Sequence, residues 1–451
     1  MITLIKFDAL QLLRDRLAIF ILGVGFLATL VAVVTGASWN NYLQNDYARV
    51  YEASQDYRAE QRKDWVNASN TDRAAAVILP LRLVTTVQLA PPLMADFAIG
   101  RSAIEPASAD VRSRTRPDIM FRRYQIDNPE RLRRGALDLS FVVIVIAPLL
   151  LIAIGYGIFT SDRERGTARL WVAQAGNPLP LITARSLNRF SIVFVPILIG
   201  ALIMWALGPT GRGLDILLWL SVAFIGLLFW WAVILLVNTL PIAAETAAML
   251  LIGIWTTLVF VAPMAIFAAS SLINPPPSKF ESIAVARAAE ISSAKIYDDD
   301  HPELSSSALE VRKSSVQKSI DVRAAVADAI APIQAKQKAH EESQAKFAYR
   351  LAYLSPPLLT SDLLAGVSGT DGPSYARRKK SAQAYLPTLS GALSSKVVND
   401  GAIDGSSFDA LPVYTPASHS RPSFVPLAWI LFLTLLIGGW ATMRLRHTSP
   451  L

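Results

Sequence analysis

Six consecutive residues, Asp162-Arg163-Glu164-Arg165-Gly166-Thr167, alternate carboxylates and guanidiniums directly after a long apolar run. That pattern does not suit bond-making chemistry, because it contains no nucleophile paired with a base. It suits recognition by charge. Further along, Leu170, Trp171 and Ala175 share a face at helical spacing, and Gly176 and Pro178 stop the segment. A short helix over 161–176, with an acidic start and an exposed Trp, would act as a docking peg. The Trp would fill a groove on a soluble partner and the charges would fix its register. A solvated interfacial loop carrying the positive charge usual on one side of a membrane accounts for the same residues equally well.

Other chemistry is thinly represented. The chain has no cysteine, which excludes disulfides, thiolate catalysis and thiolate metal sites. Its four histidines, His301, His340, His419 and His447, lack metal-ligand spacing. His301 follows Asp298, Asp299 and Asp300, a combination that reads as a weak cation site or, more simply, a solvated loop. No G-x-x-x-x-G-K-[ST] occurs, so no phosphate-cradling loop is expected and no cofactor is assigned to this chain. The basic run Arg377-Arg378-Lys379-Lys380 reads as a solvated helix face, or as a contact for lipid head groups or an acidic partner.

The elements that position these residues are set by hydropathy. Of the 451 residues, 52% are hydrophobic and only 17% are charged, and the apolar residues collect in runs at 17–37, 137–159, 191–207, 214–237, 247–272 and 425–443. About 20 apolar residues are needed for a helix to cross a bilayer. The expected fold is an all-α integral membrane protein: six transmembrane helices with two mainly helical extracytoplasmic domains at 38–136 and 274–423. Residues 1–16 space Ile2, Ile5, Leu10, Leu12 and Leu13 among charges, as in an amphipathic helix lying on the membrane. The stretch from Trp39 to Trp65 lacks Gly and Pro and reads as helix. Residues 282–353 read as long helices broken near 298–302 and at Pro332. Asp138 and Asp215 lie at span edges, where solvated carboxylates are expected. Residues 89–100 and 354–366 each run from a Pro-Pro turn through an apolar stretch to a Gly, by chance or as a pseudo-repeat.

Lys and Arg set the expected orientation. Lys6, Arg14 and Arg16 precede span 1, Arg163, Arg165, Arg169, Arg185 and Arg189 separate spans 2 and 3, and Arg444 and Arg446 follow span 6. Six spans put all three groups on one side, which the positive-inside rule makes cytoplasmic, together with both termini and the tail 444–451. The net charge of +8 is thereby explained without a nucleic-acid partner.

Asp162–Thr167 resembles the Glu-Arg-Glu-x-Gly-Thr motif of ABC-2 type (type V) exporter permeases, with Asp162 in place of the first Glu. In that family the motif lies between spans 2 and 3, in the coupling helix that docks on the ATPase subunit. Arg14-Asp15-Arg16-Leu17 resembles the family's passage from an elbow helix into span 1. Ser355-Pro356, Ala365-Gly366 and Gly369-Thr370-Asp371 resemble a bacterial subfamily with large helical periplasmic insertions of unknown function. The resemblance implies a transport subunit of the bacterial inner membrane, without enzyme activity. Asp162, Arg163, Glu164, Arg165, Gly166, Thr167, Leu170 and Trp171 would dock a separate ABC ATPase, which binds ATP and Mg. It implies pairing with a second copy or a paralogous permease. Two other readings stand beside it. One is a mechanotransmitter that works periplasmic partners without moving a substrate through its spans. The other is a non-ABC membrane scaffold or sensor.

Overall fold

Six helices are long and apolar enough to cross a membrane, and one falls on each of the six apolar runs. The chain is an all-α integral membrane protein. The structure, a computed structural model, describes residues 2–71, 79–112, 115, 120–121, 137–168, 179–273, 279–302, 308–398, 405–417 and 421–447.

Helix α1, Ile2–Leu12, ends in a turn, and the Asp15 carboxylate then accepts the Leu17 N–H at 2.9 Å to start α2. Helix α2, Arg16–Thr71, runs without a break through span 1 and far beyond it. At 1.5 Å per residue its 56 residues reach about 84 Å, against a hydrocarbon layer of about 30 Å. Past Gly36 nothing in this stretch interrupts the hydrogen-bond ladder, since neither Gly nor Pro follows. The remaining spans lie in α3 (Leu139–Glu164), α4 (Leu179–Leu207), α5 (Gly213–Asn238), α6 (Ala244–Ile273) and α12 (Val425–His447). Helix α4 begins twelve residues before its apolar run, so Arg185 and Arg189 belong to a helix and not to a loop. Two of the helices contain a wide π turn, at Val142–Ile146 in α3 and Thr257–Val261 in α6. The bundle core is apolar, with Leu151, Ile197, Trp219, Leu227 and Leu251 buried.

The two polar segments do not stand apart. They share one core at one end of the bundle, where Trp65 meets Phe408 edge-on at 5.1 Å and Val87, Val111, Leu386 and Leu389 fill in around them. A two-stranded antiparallel sheet, β1 (Val84–Gln88) with β2 (Ser108–Arg112), contributes Val87 and Val111. This strand pair is the one sheet among the described residues. The second segment adds α7 (Lys279–Asp300), α8 (Ala308–Ala352), α9 (Pro356–Ser368), α10 (Gly372–Val398) and α11 (Gly405–Asp409). The expected break near 298–302 is present, since α7 ends at Asp300. The expected break at Pro332 is not: α8 runs straight through it. A proline there costs one ladder bond, and packing of Val326 and Ile330 against Ala286 of α7 holds the helix across the gap.

Both Pro-Pro segments are lodged against the spans. Residues 94–99 wedge into the mouth of the bundle at the head end, where Phe97 packs on Trp219 at 5.2 Å. Gly36 admits them, because a Cβ there would lie 2.0 Å from the Asp96 carbonyl oxygen. Helix α9 packs on α5, α6 and α12. Its N-cap Ser355 donates Oγ–H to the Leu258 carbonyl at 2.8 Å, within the π turn of α6. The two segments meet where Arg101 N–H donates to the Thr370 carbonyl at 3.0 Å.

Two carboxylates expected at the water boundary, Asp138 and Asp215, are sequestered instead, and so is Arg212 between spans 3 and 4. Asp138 caps α3 through the Phe141 N–H (2.7 Å) and also accepts the Ile99 N–H (2.7 Å). Asp215 is paired with Arg421 at 2.8 Å. Arg212 is 2% exposed and forms a 2.7 Å ion pair with Asp96. Burial pushes the Asp96 carboxyl upward, and the guanidinium offsets part of that rise. Nor is the basic run simply a solvated face, since Arg378 donates to the carbonyls of Ala90 (3.1 Å) and Gly369 (3.2 Å) and ties both Pro-Pro segments together.

Candidate functional site at the loop after span 2

The charged hexapeptide lies at the bundle end opposite the shared head. Helix α3 loosens at 156–159 and resumes over Thr160–Glu164. Asn238, fully buried at the end of α5, secures this loosened turn. Its Oδ1 accepts the N–H groups of Phe159 (3.2 Å) and Thr160 (3.3 Å), and its Nδ2 donates to the carbonyls of Gly155 (3.2 Å) and Ile234 (2.9 Å). Arg165 and Gly166 then turn the chain. Gly166 has φ +74°, a left-handed conformation that disfavours any residue with a Cβ. The acidic residues therefore close the helix of span 2 and do not open a new one. Among the described residues no single helix covers 161–176.

Three of the four charged side chains of the motif have a structural partner. Asp162 binds Arg185 of α4, and it accepts the Thr167 hydroxyl at 3.2 Å. Arg163 donates to the carbonyls of Leu240 (2.6 Å) and Ile242 (2.9 Å) in the loop between spans 4 and 5. Glu164 accepts the Ala244 N–H at 2.9 Å. That bond supplies the cap that Ala243 cannot, and it places a negative charge at the positive end of α6. Arg185 continues the chain of contacts to Asp8 of α1 at 3.9 Å, and Asn188 donates to Asp8 and to the Ile5 carbonyl, both at 2.9 Å. The loop is thus tied to α1, α4, α6 and the end of α5.

Glu164, Arg165, Gly166 and Thr167 remain exposed and form an open lip. Leu170, Trp171 and Ala175 lie outside the described residues. The network members Asp8, Arg185, Asn188 and Asn238 carried only a weak signal in sequence. Asn238 is a lone amide closing an apolar run, and Asp8 is a lone carboxylate on an amphipathic segment.

The other candidate chemistry is resolved by packing. His301 stacks on Tyr297 at 4.3 Å, and Asp298 binds Lys318. No group of three metal-ligating side chains occurs among the described residues.

Residues 284–417 match a family model described as a domain of unknown function (DUF3526). The match runs from α7 to the extended stretch after α11 and covers under a third of the chain. No curated protein and no solved structure matches the chain.

Proposed function

We propose that the chain is the transmembrane permease subunit of an ATP-driven ABC-2 type exporter, coupled to a separate ATPase through the 161–176 loop. The observation that carries this reading is the set of bonds tying that loop to three helices and to the loop between spans 4 and 5. Asp162 reaches α4 and, through Arg185, α1; Glu164 reaches the start of α6; Arg163 reaches the loop that joins α5 to α6. Force applied to the lip at 164–167 would be delivered to the ends of several spans at once. The resemblance of Asp162–Thr167 to the exporter motif supports the same assignment.

On this reading the ATPase holds ATP and Mg, and a second permease, identical or paralogous, completes the pathway. The Lys and Arg bias supports a cytoplasmic lip and cytoplasmic termini, and on this reading the membrane is a bacterial inner membrane with the shared head in the periplasm. Co-expression with an ATPase encoded beside this gene tests the assignment. The complex should purify intact, and Glu164→Gln should lower coupled ATPase activity about tenfold, equivalent to about 1.4 kcal/mol of barrier. Full activity in that variant at normal expression, or failure to recover any ATPase, would refute it.

The continuity of α2 favours a second reading, a mechanotransmitter. One unbroken helix joins span 1 to the head, so a tilt of the span would swing the head directly. ATPase activity that responds to a periplasmic partner but to no transported substrate would select this reading over the exporter.

A further inference from the structure

Helix α2 lies along the outward edge of β1 and leaves a small pocket between them. Leu89 N–H donates to the Ala107 carbonyl at 2.7 Å, which sets the alternation along β1. Residues 84, 86 and 88 therefore turn their backbone groups away from β2 and toward α2. Helix α2 closes the gap at both ends. Gln61 accepts the Val84 N–H and donates to the Val84 carbonyl, both at 3.0 Å, and the Tyr47 carbonyl accepts Gln88 Nε2 at 3.1 Å. Between these ties, the backbone N–H and C=O of Thr86 have no hydrogen-bond partner among the described residues.

The pocket holds about 110 Å³ and opens to solvent. Tyr47, Tyr51, Ser54, Arg58 and Gln61 line it from one face of α2, and Phe408 and Tyr414 line it from the stretch beyond α10. Tyr51 is 52% exposed and Tyr57, also on the wall, is 46% exposed, so the fold leaves much of each ring uncovered. One cation, Arg58, lies 5.4 Å over the Phe408 ring. The carboxylate whose charge it feels, Asp409, is already engaged by both Nε and Nη2 of Arg62 at 2.8 and 2.7 Å. Arg58 itself has no ion-pair partner among the described residues.

We propose that this pocket binds one acidic pyranose, a hexuronate, either free or as the end residue of a glycan. Size, polarity and charge select that ligand. A closed cavity of about 150 Å³ encloses one benzene, so about 110 Å³ with an open mouth admits a single six-membered ring and nothing longer. A hydroxylated ring suits the walls better than an arene does. Its hydroxyls both donate and accept, and so can satisfy the Thr86 N–H and C=O together. The electron-rich faces of the tyrosines attract the C–H groups on a pyranose face. The planar guanidinium of Arg58 matches a carboxylate through two parallel bonds. The proposal concerns the head alone and stands whether or not the opposite end of the bundle engages an ATPase.

The test uses the full chain in lipid nanodiscs, with glucuronate, glucose, benzoate and a trisaccharide ending in glucuronate as probes. Saturation-transfer NMR should show contact between the chain and the pyranose C–H groups of glucuronate, and binding should slow exchange of the Thr86 amide. Glucose should bind about tenfold more weakly, for want of the carboxylate, and benzoate should not compete. Tighter binding of the trisaccharide than of free glucuronate assigns the site to a glycan end, and equal or weaker binding assigns it to the free sugar. Arg58→Gln should remove the preference for glucuronate over glucose. Ser54→Trp fills the pocket from α2 and should abolish binding while the thermal unfolding profile stays that of the parent. The proposal is overturned if neither glucuronate probe binds above empty nanodiscs, or if benzoate competes as well as glucuronate. It is overturned equally if the Ser54→Trp protein binds as the parent does, or if Arg58→Gln leaves the preference for the acid intact.

Discussion

Arg212 and Asp96 form the most enclosed ion pair among the described residues, and its energetics are asymmetric. Removing one partner leaves the other charge buried and uncompensated. Arg212→Met should therefore destabilise the protein by about 3–5 kcal/mol, and adding Asp96→Asn should recover more than half of that loss. Denaturant titration in detergent, following Trp fluorescence, checks both. Asp362 on α9 offers a pH test. Its side chain keeps an exposed edge, yet the surrounding helices crowd it, and together with the charge of Asp371 this pushes its carboxyl up to about 6. A folded value above the unfolded one favours the native state below the unfolded value, and that contribution disappears as pH rises through about 6. The difference in melting temperature between the parent and Asp362→Asn should accordingly change between about pH 4 and pH 7 and level off above it. At the other end of the bundle, Glu164→Ala removes the cap of α6 and should cost about 1 kcal/mol. The Asp-Arg-Glu-Arg-Gly-Thr run was legible as a charged stretch beside a span. That Glu164 caps α6 and Arg163 holds the 240–242 carbonyls was not, because those partners lie nearly 80 residues away and include unremarkable backbone groups.

At the scale of elements, tertiary packing overrides a local signal. Pro332 should end a helix, yet α8 continues, with Val326 and Ile330 just before it packed on α7. Pro332→Ala should restore a donor to the ladder and slow amide exchange around 326–336, by up to about 3 kcal/mol in opening free energy. Gly36 in span 1 is where the 93–99 loop touches α2. Gly36→Ala would drive a methyl into the Asp96 carbonyl, and the loop must shift. The expected cost is about 1–3 kcal/mol, read as lowered thermal stability and faster modification of a cysteine placed at Leu93, which is exposed. The helical stretch from Trp39 to Trp65 was legible because nothing in its composition interrupts a helix. The β1–β2 hairpin was not, since Val84–Gln88 is a five-residue run without a sharp turn sequence to mark its register.

For the whole molecule, the cysteine-free sequence makes topology directly testable. Single cysteines at Gly166 and Lys318 should be labelled from opposite faces of the membrane, with Gly166 on the cytoplasmic face. Labelling of both from one face would dismantle the six-span arrangement and the coupling role with it. Trp65 is a poor reporter for the head, being buried against Phe408, whereas the neighbouring Glu60 is exposed. The purified chain alone should neither bind nor hydrolyse ATP, a result checked by nucleotide titration and phosphate release.

Hydropathy by itself determined that this is a six-span helical membrane protein, because burying backbone polar groups in lipid leaves a long apolar run little choice but helix. Local charge marked the loop after span 2 for the same reason: alternating ionised side chains next to a span are visible without knowing what they touch. Only the tertiary structure decided that the two polar segments build one head, since the pairing of Trp65 with Phe408 joins residues more than 300 positions apart. It alone decided which charges are buried. Asp138, Asp215 and Arg212 look like boundary residues in sequence, and their partners Ile99, Arg421 and Asp96 are brought to them by the fold. The pairing of Val84 with Gln61 of α2 is likewise a product of folding, because whether a backbone amide is paired depends on what packs beside it and not on the residue that carries it.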